Sequence, residues 1–372
     1  MSMNKIFSIK QLDLVSIQKS IAKFVSDKYV IPACGFIKIT GKEGSVEIEA
    51  TNMEVSYKTT LKASFDEPFQ LCVESKFIHA LDKRDIELEF YLNEEICEIK
   101  YPGGLLRVLT MDAENYIRSV FIGEIICTVD SFELQNAITA SIGISSDDRY
   151  STIGASGVVL CADLDGLNVE AYNGIVCSST VVVSDPEPTE KMLCQITNSA
   201  SRFITSCLSG TIHVFKNNGV IIFSDGVSTL SIREGILEIK SSYKTFLKNI
   251  KTSLDTTLKI VSKSFMISQI NKASLFLKSD HNPALIIRLK DDVWEFVAGE
   301  NQREMSVQQF PLGYKKQASD TIIVNYNFLV SILQRIKGEE FEIRIHSDCN
   351  GKVNKPIYIT DGITDYLISV MS

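Results

Sequence analysis

Four histidines, nine cysteines and two Asp-Asp pairs are the first side chains of this 372-residue chain to weigh for covalent or metal chemistry. No two of His79, His213, His281 and His346 have the short spacing that sets two imidazoles on one metal. His213 and His346 fall in strand patterns and His79 in a helical one, so they read as core or surface histidines. Most cysteines, among them Cys72, Cys97, Cys127, Cys161, Cys177, Cys194 and Cys207, lie inside apolar patterns. With no C-x-x-C pair they read as reduced, buried thiols of a cytoplasmic protein. Asp147-Asp148 and Asp291-Asp292 read as solvated turn ends. No phosphate loop, G-x-S-x-G, H-E-x-x-H or dinucleotide fingerprint occurs. With no convergent nucleophile, base or metal set, neither a catalytic site nor a cofactor is expected. The remaining chemistry is electrostatic.

The net charge of −8 is unevenly spread. Apolar periodicity predicts six helices, over 10–26, 76–84, 131–143, 197–208, 263–278 and 325–337. They hold twelve basic residues against three acidic, Asp13, Asp82 and Glu133, a balance of +9, while the rest of the chain carries −17. Lys19, Lys23, Lys76, Arg202 and Lys272 are the helix cations that would meet phosphates. Such contacts displace condensed counterions and bind DNA without reading bases. Lysine is also simply a good helix former on solvated faces, but glutamate, an equally good one, is nearly absent from these segments.

What must position these cations is a unit that occurs three times. Thr321 to Gly338 reads as a short strand, an asparagine cap at Asn325 or Asn327, and a helix whose Phe328, Leu329, Ile332, Leu333 and Ile336 form one stripe. Phe69 to Leu81 and Met192 to Leu208 repeat that pattern. The phenylalanines Phe77, Phe203 and Phe328 stand 126 and 125 residues apart, about a third of the chain. Each unit also opens with a strand and a helix and closes with three strands joined by turns. In the first unit the apolar face of the opening helix is Leu14, Ile17, Ile21 and Phe24, with Ser16, Lys19 and Lys23 opposite. The expected fold is α+β, with three repeated domains at 1–123, 124–249 and 250–372, each with two helices packed on antiparallel sheets. Leu247 to Thr257 reads as a linker, and Ser184 to Lys191 as the one mobile loop. The chain is 45% hydrophobic, enough for sizeable cores. No leader-like apolar run and no 18-residue apolar stretch is present, so a cytoplasmic location without a membrane is expected.

The order and spacing of several stretches resemble the bacterial sliding clamp family, the beta subunit of DNA polymerase III. They are IPACGFIKI with ATNMEVS, DDRYSTIGASGVVL with VEAYNGIVCSS, VNYNFLVSILQRIKG, and the ending KPIYITDG with DYLISVM. The resemblance implies a head-to-tail homodimer closing a ring of six domains, helices inside and sheets outside. It also implies sequence-independent binding of duplex DNA, a replicative DNA polymerase and a clamp loader as partners, and no catalytic activity of its own. By the same resemblance Lys28, Arg149 and Tyr150 contact DNA. A pocket for a largely hydrophobic partner peptide falls on Ala155, Tyr172, Gly174, Ile175, Val176, Cys177, Phe246, Leu247, Phe328, Pro356, Leu367, Ser369 and Met371. The dimer seam would pair Leu106 and Val108 with Leu275 and Phe276.

Three departures bear on the pocket. Ile175-Val176 stands where the family commonly has His-Arg. Lys240-Ser241-Ser242-Tyr243 replaces an aromatic-Pro-x-Tyr ending, and the tail reads Ser369-Val370-Met371-Ser372 instead of a Met-Pro-Met-Arg pattern. The expected function is therefore a processivity ring of divergent type. The alternative is a multidomain protein-interaction scaffold that never holds DNA.

Overall fold

The computed structural model describes residues 4–25, 31–93, 95–145, 157–185, 187–188, 191–235, 242–277, 283–290, 293–301, 304–311, 320–346, 353 and 355–371. The first run of elements is β1 (Asn4–Lys10), α1 (Gln11–Ile21), β2 (Phe36–Lys42), β3 (Ser45–Thr51), β4 (Val55–Lys62), β5 (Phe69–Glu74), α2 (Lys76–His79), β6 (Glu87–Asn93), β7 (Ile96–Tyr101) and β8 (Gly104–Met111). The second is β9 (Glu124–Asp130), α3 (Ser131–Ile142), β10 (Val158–Asp163), β11 (Gly166–Tyr172), β12 (Val176–Val182), β13 (Met192–Ile196), α4 (Asn198–Cys207), β14 (Thr211–Asn217), β15 (Val220–Ser224) and β16 (Ser228–Arg233). After α5 (Tyr243–Thr252) the same order returns. It runs β17 (Thr256–Ile260), α6 (Lys263–Ser274), β18 (Ala284–Lys290), β19 (Val293–Asn301), β20 (Glu304–Pro311), β21 (Asp320–Asn325), α7 (Tyr326–Arg335), β22 (Phe341–Ile345), β23 (Ile357–Thr360) and β24 (Thr364–Ile368). The chain is α+β, and one order of eight strands and two helices is written three times.

Two compact units result. The first comprises 1–132 with 202–235, the second 133–201 with 236–372. Segment 124–249 thus gives β9 and β14 to β16 to the first unit and β10 to β13 to the second.

The first unit is built on one sheet of order β1-β6-β7-β8-β5-β2-β3-β4-β16-β15-β14-β9. Its strands alternate as half-buried antiparallel strands must, with Val46, Ile48 and Ala50 inward on β3. Phe7 stacks on Phe90 at 4.2 Å and on Phe69 at 4.9 Å, beneath α1 and α2. Gln18 Nε2 donates to the Ile78 carbonyl at 2.7 Å, clasping α1 to α2. The second unit has an eight-stranded sheet, β13-β10-β11-β12-β24-β23-β22-β17, and a four-stranded one, β20-β19-β18-β21. Trp294, Phe296, Ile332, Leu333 and Tyr366 lie in its main core.

Each unit contains one joint of the same kind. The fourth strand of one run pairs antiparallel with the eighth strand of the next. β4 meets β16 with Val55 opposite Ile232 and Thr59 opposite Ser228. β12 meets β24 with Val176 opposite Ile368 and Thr180 opposite Thr364. The turns entering these strands are also the same. Asn52 Oδ1 accepts the Val55 N–H at 2.8 Å, and Asn173 Oδ1 accepts the Val176 N–H at 2.8 Å. Asp225 Oδ1 accepts from Ser228 at 2.7 Å, and Asp361 Oδ1 from Thr364 at 2.8 Å.

The helices differ from expectation in two ways. They are shorter. Lys10 belongs to β1, α1 ends at Ile21 before Phe24 turns inward onto Tyr57 and Phe203, and α2 is a single turn. And the stretch read as a linker, Leu247 to Thr257, is helical as far as Thr252 and enters β17 at Thr256. α5 is capped by Ser242, whose Oγ accepts the Lys244 N–H at 3.2 Å, and Leu247 is buried. Leu247, Ile250 and Leu254 give it the helical spacing that a reading for linker composition passes over.

Candidate DNA-facing helices and peptide pocket

With the observed bounds, the six repeat helices hold six basic residues, Lys19, Lys76, Arg202, Lys263, Lys272 and Arg335, against Asp13 and Glu133. The excess expected from the sequence halves, because Lys10, Lys23, Lys83, Arg84 and Lys337 lie just beyond helix ends; Lys278 is outside the described residues. Two of the six serve the fold. Lys263 Nζ donates to the Ile336 carbonyl at 2.7 Å, closing the end of α7. The Arg335 guanidinium donates back to Ser331 and lies so close to Gly143 that a Cβ there would sit 1.5 Å from Nη2.

The other four candidate helix cations are exposed, as is Lys23. On α1 and the turn after it, Leu12, Ser16, Lys19 and Lys23 form the outward stripe. Lys76 begins α2 beside it, 2.6 Å from Glu74. Phe24 stacks on Phe203 at 4.4 Å, bringing the end of α1 against α4, on which Arg202 is exposed. In the second unit Lys272 is exposed on α6, next to Asn271, whose Oδ1 accepts the Tyr326 hydroxyl at 3.0 Å. Lys28, Arg149 and Tyr150 lie outside the described residues.

The pocket residues within the described part all fall in the second unit, except Ala155, which is not described. Strand pairing brings them together. Cys177 stands opposite both Tyr172 and Leu367, and Leu367 opposite Tyr358. Cys177, Leu247, Tyr358 and Leu367 form a buried cluster on which Tyr172, Tyr243 and Ile250 pack. Val176 belongs to the neighbouring core, against which Phe328 packs half-buried. Gly174, at φ 90°, makes the turn that Asn173 braces. Past β24, Ser369 N–H donates to the Ile175 carbonyl at 2.9 Å and Met371 N–H to the Ile323 carbonyl at 2.8 Å. Pro356 is half-buried at the start of β23. The arrangement is a buried apolar floor with Ile175 and Phe246 exposed above it, at 36% and 49%. A separate cavity of about 390 Å³, in the first unit, is lined by Lys38, Glu49, Tyr116 and Arg118 among others, and by none of these residues.

Glu170 on β11 was missed by sequence reasoning. It is 0% exposed. Its carboxylate accepts Ser242 Oγ–H at 2.6 Å, Tyr243 N–H at 2.7 Å and Lys244 N–H at 3.0 Å. Burial pushes its carboxyl above the ordinary range, against those hydrogen bonds. The available signal is the alternation of Asn168, Glu170 and Tyr172 with Leu167, Val169 and Ala171, whose polar side α5 covers. Lys244 Nζ in turn reaches Asp165 at 2.7 Å and Asp163 at 3.2 Å.

The four residues expected at a dimer seam are placed unequally. Val108 is buried and Leu106 half-buried; β8 turns Leu105 and Leu109 outward instead, 44% and 56% exposed. The alternation of the pleat decides this, shifting the apolar face of the strand by one residue. Leu275 and Phe276 are exposed, at 80% and 46%, past the end of α6. β20 shows an outward apolar face too, Met305 and Val307. β20 is the last strand of its sheet, and β8 pairs with β5 only through Thr110 and Met111.

Among the described residues no group of three or more His, Cys, Asp or Glu could hold a metal ion. His213 Nδ1 pairs with Thr128 Oγ1 and His346 Nδ1 with Asp255, each at 3.0 Å, and His79 is exposed; His281 is not described. The described cysteines form no disulfide and are mostly buried. Among the described residues no helix is long and apolar enough to cross a membrane.

Residues 5–118 match the family model described as DNA polymerase III beta subunit, N-terminal domain. No curated protein matches the chain. Among solved structures, the DNA polymerase sliding clamp of Bacillus subtilis is similar at 15% identity and TM-score 0.84, over 99% of both chains. The beta subunit from DNA polymerase of Streptococcus pyogenes is similar at 16% identity and TM-score 0.84, over 98% of this chain and 99% of that one. The Helicobacter pylori beta clamp, solved bound to a DNA ligase peptide, is similar at 15% identity and TM-score 0.80, over 99% of this chain and all of that one.

Proposed function

We propose that this chain, whose residues 5–118 are a DNA polymerase III beta subunit N-terminal domain and whose whole length has the clamp fold, is the protomer of a sliding clamp. Two copies pair head to tail into a ring of six domains, three from each chain, with α5 as the connection into the third. The ring encircles duplex DNA and has no catalytic role.

The observation that carries the reading is the unfinished joint. The fourth strand meets the eighth strand of the next run twice within the chain, at β4–β16 and β12–β24. The rule leaves over the fourth strand of the last run, β20, and the eighth of the first, β8. β20 ends its sheet, β8 meets β5 only at Thr110 and Met111, and the two carry outward Leu105, Leu109, Met305 and Val307. A second copy completes the joint at both ends and closes the ring. The two internal joints also supply the register we assign to it. Asn52 and Asn173 correspond to Asn301, and Gly226 and Gly362 to Gly103. On that scale Arg107 stands opposite the partner subunit's Ser306.

The function follows mechanically. Exposed Lys19, Lys23, Lys76, Arg202 and Lys272, joined by Lys28, Arg149 and Tyr150, attract phosphates without fixing register, so the ring slides. The apolar site of Tyr172, Cys177, Phe246, Leu247, Phe328 and Leu367 takes a short hydrophobic peptide from the replicative polymerase or the clamp loader. Tethering then raises the effective concentration of polymerase at its template. An ATP-driven loader opens the ring, which itself needs no cofactor. The place of work is the cytoplasm.

The modest charge excess of the observed helices favours one rival, a protein-binding scaffold that leaves DNA alone. Light scattering after size exclusion separates the oligomers. A clamp runs at twice 41.5 kDa, and a single-subunit mass overturns the ring.

A further inference from the structure

Glu170 is a carboxylate with no access to solvent, on β11 beneath the start of α5. Burying such a group is costly unless donors surround it. Its donors are nearly all from one place, the N-terminus of α5. That end has backbone N–H groups without helical partners and the positive end of the helix dipole. Glu170 takes two of the N–H groups and the Ser242 hydroxyl; Ser179 Oγ stands at 3.5 Å from the other side. These bonds fix where α5 begins and how it is rolled about its axis.

Phe246 and Leu247 follow within one turn. Leu247 points down into the cluster of Cys177, Tyr358 and Leu367, and Phe246 stands exposed at the rim. The apolar hold on α5 is narrow, Leu247 being its one fully buried side chain with Tyr243 and Ile250 packed partly buried beside it. We propose that Glu170 is a positioning residue for the peptide site: its carboxylate locks the start of α5 and so sets Phe246 and Leu247 for an incoming hydrophobic peptide. This rests on the reading of that site as the peptide pocket.

The test compares the intact dimer with Glu170→Leu, Glu170→Gln and Phe246→Ala. Leucine keeps the volume and needs no donors, so the fold survives while the lock is lost. Two readouts are taken. One is amide hydrogen exchange over residues 243–252. The other is affinity for a fluorescein-labelled six-residue peptide bearing a Leu-Phe pair. Expected for Glu170→Leu are faster exchange in α5 and an affinity about tenfold weaker, comparable with Phe246→Ala, at unchanged dimer mass. Glu170→Gln, which keeps one acceptor oxygen, recovers part of both. Unchanged α5 exchange in Glu170→Leu overturns the inference. So does peptide affinity that falls in Phe246→Ala but not in Glu170→Leu, and this leaves the pocket standing. Affinity blind to all three substitutions overturns the pocket reading, and the inference with it.

Discussion

Thr180 and Thr364 face each other across the joint of β12 and β24, their hydroxyl oxygens 2.9 Å apart and both side chains buried. Replacing one by valine strands the other, at a cost of about 1–3 kcal/mol. Replacing both leaves two apolar groups of the same shape and costs less than the sum of the single changes. Urea unfolding of Thr180→Val, Thr364→Val and the double variant measures this coupling. Additive losses would mean that the hydroxyls do not support each other.

The missing joint has a register that can be trapped. Directly opposed residues on antiparallel strands have Cβ atoms about 4.5–5.5 Å apart, close enough for a disulfide with slight adjustment. A chain carrying Arg107→Cys and Ser306→Cys is expected to run on oxidation at twice 41.5 kDa in a non-reducing gel. Neither single variant should do so. A cross-link obtained only after shifting one cysteine by two residues would show that the seam does not copy the internal joints.

How much of this was legible in the sequence depends on what each residue answers to. Strands such as β3 and helices such as α7 answer to a local period, and Val46, Ile48, Leu329 and Leu333 announce it. The threefold order could be read from the phenylalanine spacing for the same reason. What could not be read depends on partners distant in the chain. Lys263 looks like one more surface cation until its ammonium is found on the Ile336 carbonyl. Glu170 looks like the wet side of a strand until α5 covers it. Leu105 and Leu109, rather than Leu106 and Val108, face outward because the pleat has only two phases. The pocket residues lie up to about two hundred positions apart, and the family resemblance, not any local pattern, gathered them.

Cations that meet DNA and cations that hold the fold should separate in salt. Each lost phosphate contact lowers the slope of log affinity against log salt by about 1. Lys19→Ala, Lys23→Ala and Arg202→Ala are each expected to do this for a duplex of any sequence, without changing thermal stability. Lys263→Met is expected to do the reverse, losing about 1 kcal/mol of stability through the unmade cap while leaving the slope alone. Fluorescence anisotropy with a labelled duplex measures the slopes. Equal slopes in all variants would remove these helices from the DNA face.

Glu170 also makes stability depend on pH in a direction opposite to most carboxylates. Its folded pKa lies above the unfolded one because burial disfavours the charge. Such a group binds its proton more tightly in the folded state. Its favourable contribution is complete below the unfolded pKa and is lost as pH rises through the folded one. The melting temperature of the native chain should therefore fall relative to Glu170→Gln as pH rises from the ordinary carboxylate value of 4.5 through the raised folded one. A constant gap across that range would mean that the hydrogen bonds from α5 fully compensate the charge.

The most direct test of the ring is topological. The protein is loaded on a nicked circular plasmid with a bacterial clamp loader and ATP, freed of excess by gel filtration, and half of the sample is cut once with a restriction enzyme. A closed dimer stays with the circle and is released from the linear DNA, because it leaves over the ends. Equal retention on circle and line, or no retention on either, would contradict the account.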